Sequence, residues 1–278
     1  MERDEPAAGM GPDAPAMTVA TESPIIEARK VSKHFGHVVA LRDVDLKLWP
    51  NEVLGVVGDN GAGKSTLMKI LSGVHPASEG EMLVDGLPVR FSNPGDARRL
   101  GIEMVYQDLA LAGNMRIDEN IFLGREQTRR LGPFRLVDHA ANRDEAKRHL
   151  DNLRVEVKSV TQRVEQLSGG QRQAVAIARA TAFQAKVVIM DEPTAALAVR
   201  EVRKVLDLIR DLRTHGISVI LISHRLDDVF YVCDRVMALF HGRNFAEAPL
   251  SAIDRNEVIG WIMGNKSGSD AAAGLDVD

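Results

Sequence analysis

"EVLGVVGDNGAGKSTLMKILSG", Glu52–Gly73, is a short apolar run, a glycine-rich turn and a segment of helical composition closed by Gly73. Gly58, Gly63, Lys64 and Ser65 satisfy G-x-x-x-x-G-K-[ST], and they do so where the chemistry needs them, after a strand and before a helix. Glycines let successive backbone N–H groups converge on phosphate oxygens, the lysine reaches the outer phosphates, and the hydroxyl serves a magnesium ion. Gly58, Asp59, Asn60, Gly61, Ala62, Gly63, Lys64, Ser65 and Thr66 are therefore expected to cradle the phosphates of a nucleotide, with Ser65 also a ligand of Mg²⁺ and Lys64 also catalytic.

Outward from this stretch, the pattern predicts an α/β fold. Upstream, "IIEARKVSKHFGHVVALRDVDLKL" has short β-type runs around polar turns and predicts an antiparallel sheet at the edge. Downstream, Asp85-Gly86 in "MLVDGLPVRF" signals a hairpin, and "GIEMVYQ" reads as a strand. From about Asp108 charged amphipathic segments such as "HAANRDEAKRHLDNL" predict a helical insertion, placed at about 108–183. Strand and helix then alternate through "AKVVIMD", "REVRKVLDLIRDLRTHG", "SVILISH", "RLDDVFYVCD" and "RVMALF". Val202, Val205, Leu206, Ile209 and Leu212 share one helical face, with Gly216 past its end. Apolar strands alternating with helices imply a mostly parallel sheet covered on both faces.

"VVIMDEP" completes a nucleotide site. A strand ending in Asp191 brings a carboxylate to the sheet's carboxyl edge, where it can hold Mg²⁺. Glu192 points elsewhere and is the candidate general base for an attacking water.

The remaining composition bounds the function. With 278 residues, 45% of them hydrophobic and 27% charged, the chain has the make-up of an ordinary globular protein. A net charge of -4 offers no overall basic field for nucleic acid or anionic lipid, and no nucleic acid is expected as a partner. Cys233 is alone, which excludes an internal disulfide framework. The first residues lack an apolar leader segment, and runs such as "VILI" fall far short of a bilayer, so a cytoplasmic location is the expectation. Residues 1–23 and 266–278 read as a disordered leader and tail around a single domain at 24–265.

A second glycine turn opening a helix, "QLSGGQRQAVAIARA", Gln166–Ala180, lies more than a hundred residues after the first. Ser168 and the amides of Gly169 and Gly170 present the positive end of a helix, yet no second lysine or metal-binding acid accompanies them. It is half a site. With "LSGGQ", "VVIMDEP", Gln107 in "VYQD" and His224 in "LISHR" in this order, the chain resembles the ATP-binding subunits of ABC transporters over about 24–263.

The resemblance implies an ABC ATPase cassette: a P-loop NTPase core, an antiparallel edge subdomain and the helical insertion. It implies that Ser168, Gly169, Gly170 and Gln171 serve the nucleotide held by a second copy, in a head-to-tail dimer. Gln107 would then reach the metal or the attacking water, His224 the γ-phosphate, and Phe35 would stack on adenine. "GIEMVYQDLAL", "ENIFLGRE", "DEPTAALAVRE" and "ISHRLDDVFYVCDRV" are most similar to the sugar-import branch, for ribose, xylose or fructose. A separate membrane permease, a solute-binding protein and a place on the cytoplasmic face of the membrane follow from that likeness. Leu109, Leu111 and Met115 fit equally a groove for the permease or the core. Ala198 departs from the family pattern, which usually has an aspartate there. Two rival readings remain: a soluble relative working on DNA or ribosomes, and a nucleotide-dependent regulator with little turnover.

Overall fold

A computed structural model describes residues 23–265; the expected tail, and the leader apart from Ser23, lie outside the described residues. In chain order the elements are β1 (Ile26–Phe35), β2 (Val38–Leu48), β3 (Val53–Val57), α1 (Lys64–Leu71), β4 (Glu79–Val84), β5 (Leu87–Val89), α2 (Pro94–Arg99) and β6 (Ile102–Val105). There follow α3 (Ile117–Phe122), β7 (Thr128–Leu131), β8 (Phe134–Val137), α4 (His139–Asn152), α5 (Gly169–Thr181) and β9 (Val187–Asp191). The chain continues with α6 (Val199–Asp211), β10 (Ser218–Ile222), α7 (Leu226–Val232), β11 (Arg235–Phe240), β12 (Arg243–Pro249) and α8 (Arg255–Ile262).

The central sheet has six strands in the order β12-β11-β3-β10-β9-β6, all parallel except β12, which runs antiparallel to β11. Its strands feed two cores by alternation. Val53, Val188, Met190, Val219 and Leu221 join a cluster with Ile117, Leu150, Ile177 and Ile209. Leu54, Val56, Val187, Ile189, Ile220 and Ile222 join the other, with Leu41, Leu67 and Met68. Successive side chains of a strand point to opposite faces, so these apolar runs require a cover on each side. Fully burying such a side chain contributes about 1.5–3 kcal/mol.

The second cover includes a four-stranded antiparallel sheet, β2-β1-β4-β5. The Asp85-Gly86 turn has positive φ at both residues, 51° and 76°, the geometry of a two-residue hairpin loop. α6 buries Val202, Val205, Leu206 and Ile209, and the 3-10 turn after it ends at Gly216 with φ 77°.

Three features depart from the sequence reading. The segment expected to be helical also contains the β7–β8 hairpin, turning at Gly132-Pro133, with every strand residue exposed. Thr-Arg-Arg-Leu and Phe-Arg-Leu-Val do not alternate strictly between polar and apolar residues, so they carry no strand period. β12 and α8 follow the last expected strand: "RNFAEAP" is a polar edge strand that exists because β11 offers it an open ladder. The short α2 was also unforeseen, although Asn93 and Asp96 form a capping box around Pro94.

Candidate functional site

The phosphate loop is held by two close backbone approaches. Gly58 has φ 148°, and a Cβ there would lie 2.4 Å from the Leu239 carbonyl on β11. Gly63, the N-cap of α1, has φ 101°, and its Cβ would lie 2.6 Å from Leu41 Cδ2 on β2. Only glycine fits either position. The first turn of α1 has no acidic residue and no side-chain cap, so its N–H groups and positive dipole end stay open to an anion. Lys64 Nζ folds back to donate to the carbonyls of Gly58 (2.7 Å) and Asp59 (3.0 Å).

β9 delivers Asp191 level with Ile222 of β10, at the carboxyl edge of the sheet. Burial, and then the neighbouring Glu192 charge, raise the Asp191 pKa above the ordinary carboxylate value, while burial lowers that of Lys64. Each group stands ready to gain an opposite charge. Glu192 sits in the left-handed region with φ 50°, at a cost on the order of 1–3 kcal/mol. Its N–H donates to the Ile222 carbonyl at 3.0 Å, and its Oε1 accepts from the His224 N–H at 3.0 Å. His224 Nδ1 lies 2.7 Å from Glu192 Oε2, yet that oxygen is buried without an aligned hydrogen bond. The contact is one of proximity and leaves a lone pair unused. Behind them, the Thr194 hydroxyl donates to Asp228, which is 2% exposed and lies 3.8 Å from Arg225. That buried bond fastens the turn after Glu192 to α7, so the loops bearing Glu192 and His224 keep a common frame.

A cavity of about 490 Å³ brings together Asn60, Gly61, Ala62, Gly63, Lys64, Ser65, Thr66, Gln107, Asp191, Glu192 and His224, walled by Val38, Val39 and Ala40 of β2. Gly58 and Asp59 of the loop do not line this cavity; their carbonyls accept from Lys64. A larger cavity of about 640 Å³ beside α4, lined by Arg143, Lys147, Asp151 and Glu156 among others, holds no comparable set of reacting groups.

Other expected residues lie elsewhere. Phe35 does not line the 490 Å³ cavity: at the β1–β2 turn it is 45% exposed, edge-on to His75 at 5.5 Å and beneath Lys33 Nζ at 5.2 Å. Ser168 caps α5 in a reciprocal pair with Gln171: Gln171 N–H donates to Ser168 Oγ (3.3 Å), and Ser168 N–H to Gln171 Oε1 (3.1 Å). Neither that serine nor Gly169, Gly170 or Gln171 lines the phosphate-loop cavity. Gly169 lines a second cavity of about 370 Å³ together with Gln107 and Glu192.

Leu109 and Leu111 pack partly buried against the core, and both also line that second cavity. The loop after Gln107 is tied down by the buried Asn120, whose side chain bonds both the N–H and the carbonyl of Ala112, and by Arg179 of α5, which donates to the Ala110 carbonyl at 2.8 Å. Asn120, Arg179 and Asp228 had no reading in the sequence; a polar residue inside an apolar helical stripe was the available signal.

The oxygen donors suit a hard cation. Ser65 and Gln107 offer neutral oxygens, and Asp191 a carboxylate that no side chain neutralises by hydrogen bonding. Magnesium takes one or two carboxylates and fills its shell with water and phosphate oxygens.

The ABC transporter family profile matches residues 41–195. The chain is 45% identical over 250 residues to the fructose import ATP-binding protein of Rhizobium meliloti, covering 88% of this chain and 96% of that one. It is 47% identical to the xylose/arabinose import ATP-binding protein of Sulfolobus acidocaldarius, covering 80% and 86%. A ribose import ATP-binding protein of Rubrobacter xylanophilus is 45% identical, with 88% of this chain matching 49% of its length. Among solved structures, a nucleotide-free ATP-binding cassette from an ABC transporter aligns with a TM-score of 0.74 at 25% identity, covering 86% of this chain and 95% of its own. A dimeric bacterial ABC transporter cassette aligns with a TM-score of 0.68 at 26% identity, covering 81% and 98%.

Proposed function

The chain belongs to the ABC transporter family, and we propose that it is the ATP-hydrolysing subunit of an importer that drives a monosaccharide through a separate membrane permease. The observation that carries this reading is the division of labour between two helix-opening turns. One shares a cavity with a lysine, two acids and a histidine; the other, Ser168–Gln171, is capped and kept out of that cavity.

In this reading Lys64 turns from the loop carbonyls to the β- and γ-phosphates, while the open N–H groups of α1 take the remaining phosphate oxygens. Ser65, Asp191 and Gln107 hold Mg²⁺, which when bound offsets the charge that builds on the phosphates. Glu192 accepts the proton of the attacking water, oriented by the His224 N–H at 3.0 Å. His224 follows the γ-phosphate. Phe35 and the Val38–Val39 wall form the adenine side, with Phe35 turning in from the hairpin tip.

The turn Ser168–Gln171 completes the site of a second copy in a head-to-tail dimer, so each dimer has two shared sites. A dimeric cassette among the similar structures supports dimer formation. Hydrolysis removes the bridging phosphate and lets the pair open, and the permease follows that motion. The cleft lined by Tyr106, Leu109, Ile121, Leu123, Arg125 and Arg179 is the proposed seat for a permease segment. No helix among the described residues is long and apolar enough to cross a membrane; in this reading the path for the sugar is the separate permease, at whose cytoplasmic face this chain rests. Residues 24–265 act together as one ATPase domain.

ATP hydrolysis in liposomes containing the permease and its solute-binding protein tests the reading. Stimulation by a monosaccharide is expected. Copurification with nucleic acid or ribosomes, and no response to permease, would replace importer with one of the soluble alternatives.

A further inference from the structure

Ala198 is the N-cap of α6, with extended backbone and no side-chain cap, and the nearest acid is Glu201 in the first turn. The carboxylate of Glu201 reaches back toward Ala198 and across to the first turn of α5, beside Ser168 and Gly170. Packing there is tight: a Cβ on Gly170 would lie 2.8 Å from Glu201 Cβ, and one on Gly169 would lie 3.4 Å from its Oε2. One negative charge thus sits against the positive ends of two helices of 13 residues each. The neighbouring Ser168 side chain, and then the Gly170 backbone, hold the Glu201 pKa below the usual carboxylate value, so the group stays ionised at neutral pH.

We propose that Glu201 is a positioning residue that holds the Ser168–Gly170 turn in place and opposes the γ-phosphate of the partner's ATP there, so that its charge sets the ATP concentration at which two copies close. This rests on the shared-site reading above. A carboxylate and a phosphate brought to the same helix end repel each other. Ala198 leaves Glu201 as the sole acid in the first turn of α6, so repulsion at this point is governed by one side chain.

The test uses full-length Glu192→Gln protein, in which ATP persists, and measures dimer formation against ATP–Mg²⁺ by sedimentation. Adding Glu201→Gln, which keeps size and removes charge, is expected to lower the ATP midpoint about two- to fivefold, the range of a charge at a helix N-terminus. Glu201→Ala is expected to move it the same way. ADP affinity of the monomer, set by the Lys64 loop, should not move, while the thermal midpoint of the Gln variant should fall by only a few degrees, as expected for a charge lost from helix ends. An unchanged or raised ATP midpoint overturns the proposal. If the Glu192→Gln parent itself never dimerises at saturating ATP–Mg²⁺, the shared-site reading falls and takes this inference with it. A parent that dimerises normally, with no effect of Glu201→Gln, removes this inference alone.

Discussion

The Gly58–Ser65 loop and the Ser168–Gln171 turn are built from the same local device, a glycine turn feeding a helix, yet their surroundings are opposite. The first leaves its helix end bare of acids and caps, with Lys64 and the half-buried Asp191 held in a raised-energy state by desolvation. The second is quenched, by the reciprocal Ser168–Gln171 cap and by the Glu201 carboxylate. A bare positive end beside a cation and two acids can bind a triphosphate unaided. A quenched one can bind it only when another surface delivers the phosphate with most of its charge already balanced. The contrast is thermodynamic: one cradle is primed, the other waits.

Substitutions break or sharpen this contrast to different degrees. Glu192→Gln removes the base from the primed side: turnover should fall about 10²- to 10⁴-fold with ATP binding retained and the dimer trapped, as read by steady-state hydrolysis and sedimentation. Near-normal hydrolysis would move the base elsewhere. Lys64→Ala should weaken ATP binding to the monomer about tenfold to a hundredfold, the range for a charged hydrogen bond, measured by titration calorimetry. Ser168→Ala, in contrast, should leave monomer binding unchanged and lower turnover about tenfold; equal losses in both assays would erase the distinction between the turns.

The smallest effect concerns pH. Because folding raises the Asp191 pKa, its protonated form favours the native state, and that contribution is lost as pH rises through the folded value. Asp191→Asn should therefore raise the nucleotide-free unfolding temperature by about 2 °C at neutral pH. The gain should vanish below the ordinary carboxylate range, where Asp191 is protonated in both states.

The sequence reading and the structure agree most closely where chemistry constrains the backbone. The loop at Gly58 and Gly63, the acids after β9 and the two-residue turn at Asp85-Gly86 all demand particular residues at fixed spacing, and strands β3, β9 and β10 are apolar because both faces are covered. Legibility fades where a contact is made by partners far apart in the chain. Glu201 reaches Ser168, and Thr194 reaches Asp228, across helices whose packing no local pattern encodes. Phe35 illustrates a third case: its residue type fits the expected role, but in this conformation its ring leans on His75 rather than into the cavity. β12 was hidden for an energetic reason, since an edge strand is stabilised by its neighbour's ladder more than by its own side chains.

The central claim, that each catalytic pocket is assembled from two copies, is tested most directly by a mixed dimer of a Lys64→Ala chain with a Gly169→Asp chain. Shared sites leave one pocket with both halves intact and one doubly damaged, so hydrolysis well above that of either pure mutant, up to about half the unmodified rate if the pockets act independently, is the predicted result. A mixed dimer no more active than its two parents would mean that each chain completes its own pocket, and the account would be contradicted.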